Sequence, residues 1–124
     1  MELRDFAEAI LFAGDIDGKL LAPASMEDER PGSVMAVPAF PRHQDVEGSE
    51  FLLPRRHQLD RDATRGRLLL RLADHELLAL ELMALALLRF PEAPGSFRRD
   101  LFATMRDEQR HLKLYLDRAG QLGV

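Results

Sequence analysis

The stretch Arg65–Phe90, RGRLLLRLADHELLALELMALALLRF, constrains the fold more than any other part of the chain. It has no Gly after Gly66 and meets no Pro before Pro91. Leu and Ala, which dominate it, are strong helix formers. At helical spacing one stripe runs Leu68, Leu69, Leu72, Glu76, Ala79, Leu80, Met83, Ala86, Leu87 and Phe90, apolar except at Glu76. A second stripe, Leu70, Leu77, Leu78, Glu81, Leu85 and Leu88, is apolar except at Glu81. A helix with this much apolar girth is expected to be buried on most sides. An acid inside such a stripe needs a partner, a shifted pKa or a bound cation, because burying a bare charge is costly.

The same helix is too charged to cross a bilayer. Arg71, Asp74, His75, Glu76 and Glu81 interrupt it, and each is expensive in lipid. The N-terminus carries acids among its apolar residues rather than a signal-peptide pattern, so a cytoplasmic location is expected and no membrane partner is. The net charge of −4 argues against a surface built for nucleic acid. With no cysteine, disulfide, zinc–thiolate and iron–sulfur chemistry are excluded. A length of 124 residues suits one folded unit, with three parts: an N-terminal helix in 1–14, an irregular arm in 15–61 and a helical hairpin in 62–124.

In the first part, Leu3, Phe6, Ala7, Ile10 and Leu11 make one helical face, and Gly14 is the expected stop. About three turns are marginal alone, so this helix must dock on something larger. The arm holds five of the seven prolines, Pro23, Pro31, Pro38, Pro41 and Pro54, and no helix is expected between them. Val34–Val37 is its one candidate for extended chain. Its scattered apolar residues, from Leu20 to Leu53, suggest a segment that wraps the helical body. His43 and His57 lie in it without ligand-like spacing.

Asp60 or Asp62 is the expected N-cap of the long helix. The turn Pro91–Gly95 is short enough to make the next helix its antiparallel neighbour. That helix should begin near Pro94–Ser96 and end at Gly120. Phe97, Leu101, Thr104, Met105, Glu108, His111, Leu112, Tyr115 and Ala119 share one side of it. Arg98, Arg99, Arg106, Asp107, Arg110, Lys113, Asp117 and Arg118 fall mostly on the other.

Glu108 again puts an acid in an apolar stripe, and His111 follows it by one turn, so both can reach one point. Glu76 lies 15 residues before Pro91 and Glu108 lies 14 after Pro94. At about 1.5 Å per residue these are roughly 22 and 21 Å from the turn. The two acids therefore reach the same level of an antiparallel pair. A Glu from one helix and a Glu-x-x-His from its neighbour are half of a carboxylate-bridged dimetal site in a four-helix bundle. Carboxylates neutralise and bridge metal ions, and imidazole suits iron, zinc or copper. Glu-x-x-His alone is a weak signal; the level match gives it weight. The plainer alternatives stay open: Glu108 paired with an Arg, His111 at the edge of the core, Glu81 paired with an Arg or placed behind the site, and Tyr115 in the core. His75 points about 100° away from Glu76 and does not join it.

The segments HELLALELMALALLRFPEAP (His75–Pro94) and FRRDLFATMRDEQRHLKLYL (Phe97–Leu116) resemble the ferritin-like superfamily of di-iron carboxylate proteins. More narrowly, with the opening MELRDFAEAILFAGDIDGKL, they are similar to the N-terminal half of a bacterial ferritin-like family of unknown function. The resemblance implies an all-α fold, a ferritin-like hairpin that is half of a four-helix bundle, with Glu76, Glu108 and His111 as metal ligands and iron as cofactor. More remotely, the chain looks like the di-iron hydroxylases that modify transfer RNA, although the arm is not notably basic. Members of the narrower family are about twice as long and carry a second Glu and Glu-x-x-His, which this chain lacks.

Two function classes follow. One is a di-iron or related dimetal protein, other divalent ions included, with oxygen-dependent oxidoreductase chemistry. The other is a helical interaction or scaffold module that keeps the fold without the metal. A homodimer is expected in the first case, since an uncovered apolar stripe marks an interface and a two-fold axis doubles the ligand set. The alternative is that the arm covers the second stripe and the chain stays monomeric.

Overall fold

The computed structural model describes residues 1–38 and 52–124. Two long helices dominate: α3 (Asp62–Arg89) and α4 (Gly95–Gln121), preceded by α1 (Leu3–Phe12) and the single turn α2 (Ile16–Lys19). Among the described residues there is no strand, only an isolated parallel bridge between Glu2 and Glu27. The fold is all-α. No helix among the described residues is long and apolar enough to cross a membrane.

Two heptad rows on each long helix organise the hairpin. On α3 the inner row is Gly66, Ala73, Leu80 and Leu87; on α4 it is Arg98, Met105, Leu112 and Ala119. All eight are buried. Seven residues are nearly two helical turns, so each row runs along the seam between the helices. The N-terminal helix α1 lies over this seam: Leu3, Phe6, Ala7 and Ile10 pack with Leu80, Ala84, Leu87, Leu88 and Met105 in one core. Phe6 meets Phe102 edge to face at 5.2 Å and 85°, the favourable arrangement of two rings. A smaller cluster, Ala73, Leu77 and Leu112, continues the core and is covered by Ile16 and Leu20.

Burial of α3 is narrower than its composition suggests. Leu78, Leu82 and Phe90 are about half exposed or more, at 49%, 57% and 60%. The described residues cover one side of the hairpin, the side under α1 and α2.

The helix ends differ from expectation in three places. Gly14 is not left-handed; α1 leaves through Ala13 in extended conformation. Its last carbonyls are instead taken by the Lys19 ammonium, which donates to Ile10 O at 2.8 Å and Leu11 O at 3.1 Å. At the start of α3 the cap is Arg61, without a side-chain bond, and Asp62 is the first helical residue, paired with Arg65. Its charge still favours the helix N-terminus. Gly120 does not end α4; it lies inside it. Gly123, at φ +83°, takes the left-handed position. Val124 N–H donates to Ala119 O at 3.0 Å and Gly123 N–H to Gly120 O at 3.1 Å, the paired bonds of a Schellman close.

The arm is less irregular than its prolines imply. It holds α2, capped by the Asp15 carboxylate accepting from Gly18 N–H at 2.7 Å, and a 3-10 turn at Arg56–Asp60. Val34–Val37 does not form a strand, but Met35 is tied to α3: its N–H donates to Leu88 O at 3.0 Å and its carbonyl accepts from Arg89 Nη1 at 2.8 Å. Arg98, expected on the polar side of α4, is 2% exposed. It donates to both carboxylate oxygens of Asp28, at 2.7 and 3.2 Å, and to the carbonyls of Leu87 and Phe90. One guanidinium thereby joins the arm, the end of α3 and the start of α4.

Candidate metal centre

The second heptad rows carry the acids, and their members Met83 and Leu101 also pack against the core that α1 shares. On α3 the row reads Leu69, Glu76, Met83, Phe90, and on α4 Leu101, Glu108, Tyr115, Leu122. Each is apolar or aromatic except for the acid, and all but exposed Phe90 are half-buried. Glu76 stands 14 residues from the first residue of α3 and 13 from its last; Glu108 stands 13 from either end of α4. Both acids therefore lie at mid-length, on facing helices.

Glu76, Glu108 and His111 come together. One ligand atom from each lies within 4.8 Å of the other two. His111 Nδ1 is 3.8 Å from Glu76 Oε2 and 3.8 Å from Glu108 Oε2, beyond hydrogen-bond reach in both cases. Two ligands held at about 2.1 Å from one ion lie at most roughly 4.2 Å apart, so shifts of a few tenths of an ångström would bring this trio onto a single ion. The acids are largely shielded, at 21% and 17% side-chain exposure, while His111 is half open at 50%. Glu108 Oε2 is fully buried and, among the described residues, has no hydrogen-bond partner. A buried carboxylate oxygen in that state costs about 1–3 kcal/mol or more. A cation between the three side chains would satisfy it, and a set of two carboxylates and one imidazole is a donor set that iron, zinc and manganese accept.

The plainer roles are less well served. Among the described residues, the ion-pair partner of both Glu76 and Glu108 is His111, and neither acid meets an Arg or Lys. Glu81, expected to pair with an Arg, pairs with Lys19 at 3.2 Å on the side facing α1 and α2, away from the trio. His75 is exposed and His57 sits exposed in the 3-10 turn; His43 lies outside the described residues. Tyr115 packs on the Ala73, Leu77 and Leu112 cluster.

A family model matches residues 5–124, almost the whole chain. The chain belongs to that family, described as Protein of unknown function (DUF455). No curated protein matches the chain, and no solved structure does. The DUF455 match spans both long helices and so takes in all three residues of the trio.

Three buried polar residues of this DUF455 chain, Gln109, Lys19 and Arg98, escape a reading of polarity. Gln109, next to Glu108, is buried; its Nε2 donates to Lys19 O at 2.9 Å and Leu21 O at 2.8 Å, and its Oε1 accepts from Arg106. Lys19 itself is 4% exposed. Arg98 had a usable signal, since it falls in the row of Met105, Leu112 and Ala119. Gln109 follows Met105 by four, which also places it inward. Lys19 had none, because its carboxylate partner Glu81 is 62 residues away and its other acceptors are backbone carbonyls of α1.

Proposed function

We propose that Glu76, Glu108 and His111 hold a divalent metal ion, iron in the first place, in a ferritin-like half-bundle that serves oxygen-dependent oxidoreductase chemistry. The observation that carries this reading is the buried Oε2 of Glu108, without a hydrogen-bond partner among the described residues, 3.8 Å from His111 Nδ1 and across the seam from Glu76. Supporting it are the Glu-x-x-His spacing, the equal level of the two acids and their placement in otherwise apolar rows. Glu76 and Glu108 would neutralise the ion and fix it between two rigid helices, while His111, half open, would set its accessible side. Iron bound there supplies one-electron chemistry and dioxygen activation.

One hairpin carries one Glu and one Glu-x-x-His, and a dimetal site uses twice that set. A homodimer, or a further helix pair of the same kind, would provide the remainder. The scaffold reading asks the buried acids to be held by basic partners, and among the described residues Glu76 and Glu108 have His111 in that place.

Thermal unfolding tests the proposal. A ligand that binds the folded state raises stability by mass action, so excess iron(II) or zinc should raise the melting temperature of the wild type and not that of Glu76→Gln/Glu108→Gln. Equal shifts in both would refute the assignment.

A further inference from the structure

We infer that Gln109 is a positioning residue for the trio: it sets the rotation of α4 that presents Glu108 and His111 to Glu76. The inference rests on the metal reading and deepens it. Gln109 lies four residues after Met105 and three before Leu112, so it shares their inner face of α4. Those neighbours are apolar and fully buried, yet between them the face carries an amide that is 3% exposed. Both of its N–H bonds are used. Nε2 donates to Lys19 O at 2.9 Å and to Leu21 O at 2.8 Å, while Oε1 accepts from Arg106. The orientation of the amide follows, because a flipped Gln109 would set its oxygen against two carbonyl oxygens.

The two acceptors are themselves held. Leu20, between them, packs on the Ala73, Leu77 and Leu112 cluster. The Lys19 ammonium reaches Ile10 O and Leu11 O at the end of α1, and Glu81 Oε2 at 3.2 Å. Glu81 lies on α3 five residues after Glu76, and Gln109 directly follows Glu108. Lys19 therefore ties α3 to α4 by directional bonds, within roughly 8 Å of the level of the trio along the helices.

The rotation of α4 is what these bonds control. Successive helical residues are about 100° apart, so Gln109 and His111 point roughly 160° apart, and a roll of α4 moves both. At half the overall helix diameter, about 5–6 Å from the axis, a roll of roughly 5° displaces a ligand atom by about 0.5 Å. That is about the tolerance of a binding constellation. Apolar contacts at Met105, Leu112 and Ala119 are non-directional and yield to such a roll. Two short bonds to fixed carbonyls resist it, because a hydrogen bond weakens as it bends.

Optical titration of the metal-free protein with cobalt(II) tests the inference, since the visible bands of that ion report the geometry of its ligands. Gln109→Met keeps the length of the side chain and removes the bonds. It should raise the cobalt dissociation constant at least tenfold and shift the bands, at a temperature where circular dichroism shows it folded. Gln109→Asn keeps the amide one methylene short and should change both in the same direction; it decides the matter if Gln109→Met does not fold. Ile10→Val, a small cut in the α1 core, is the control for stability alone and should leave affinity and bands as in the wild type. Wild-type affinity and bands in the Gln109 variants would overturn the inference and leave the metal reading standing. An equal loss in Ile10→Val would also overturn it, since Gln109 would then act through stability. No saturable uptake by the wild type would sink the metal reading and this inference with it.

Discussion

Glu108 concentrates the argument at the scale of one residue. Among the described residues its Oε2 is buried without a hydrogen-bond partner, and Glu76 adds a second negative charge across the seam. Without a cation this pair opposes folding. Replacing Glu108 by Leu should therefore stabilise the metal-free protein by about 1–3 kcal/mol, the cost of an unsatisfied buried polar atom. The same change should remove any gain in stability from metal. Chemical unfolding in the presence of chelator checks the sign. A Glu108→Leu variant less stable than the chelated wild type would mean that the carboxylate holds the fold together. The trio was legible in the sequence because periodicity alone places it: Glu-x-x-His fixes a face, and distance from the prolines fixes a level. That Glu108 meets no Arg or Lys among the described residues was not legible, since it is a fact of packing.

The scale of elements shows where local signals compete. Gly120 and Gly123 are both candidate helix stops, and composition cannot choose between them. Packing chooses Gly123, at φ +83°. Gly123→Ala should cost about 1–2 kcal/mol, the penalty for a side chain in left-handed backbone. Gly120→Ala, with nothing within 4 Å of the added methyl, should add about 0.5–1 kcal/mol through helix propensity. Thermal melts of the two variants should move in opposite directions; equal shifts would refute this close. Arg98 is the contrasting case. Its partner Asp28 is 70 residues away in the chain, so no local pattern announces the pair. Arg98→Leu strands a carboxylate that is 15% exposed and frees two carbonyls. It should cost about 3–5 kcal/mol, as breaking one side of a buried pair does. Adding Asp28→Leu should recover part of that loss, and unfolding of the single and double variants measures it.

At the scale of the whole molecule, the described residues give the hairpin a finished side and cover the other less. The finished side, where α1, α2 and the arm lie over the inner rows, follows from apolar periodicity and was largely readable, down to the docking of the short first helix. What periodicity overstated was burial: it cannot say how many sides of an apolar helix find partners, and Leu78, Leu82 and Phe90 remain half exposed or more. Glu76 and Glu108 stand in the middle of otherwise apolar rows with His111 one turn on, and the DUF455 match extends across all three. The central claim is that this trio binds metal. Anaerobic titration of the metal-free protein with iron(II), with bound and free iron separated at equilibrium, tests it most directly. Saturable uptake of one iron per chain, abolished in Glu76→Gln/Glu108→Gln, is the result predicted; no saturable uptake, or the same uptake in the variant, would contradict it.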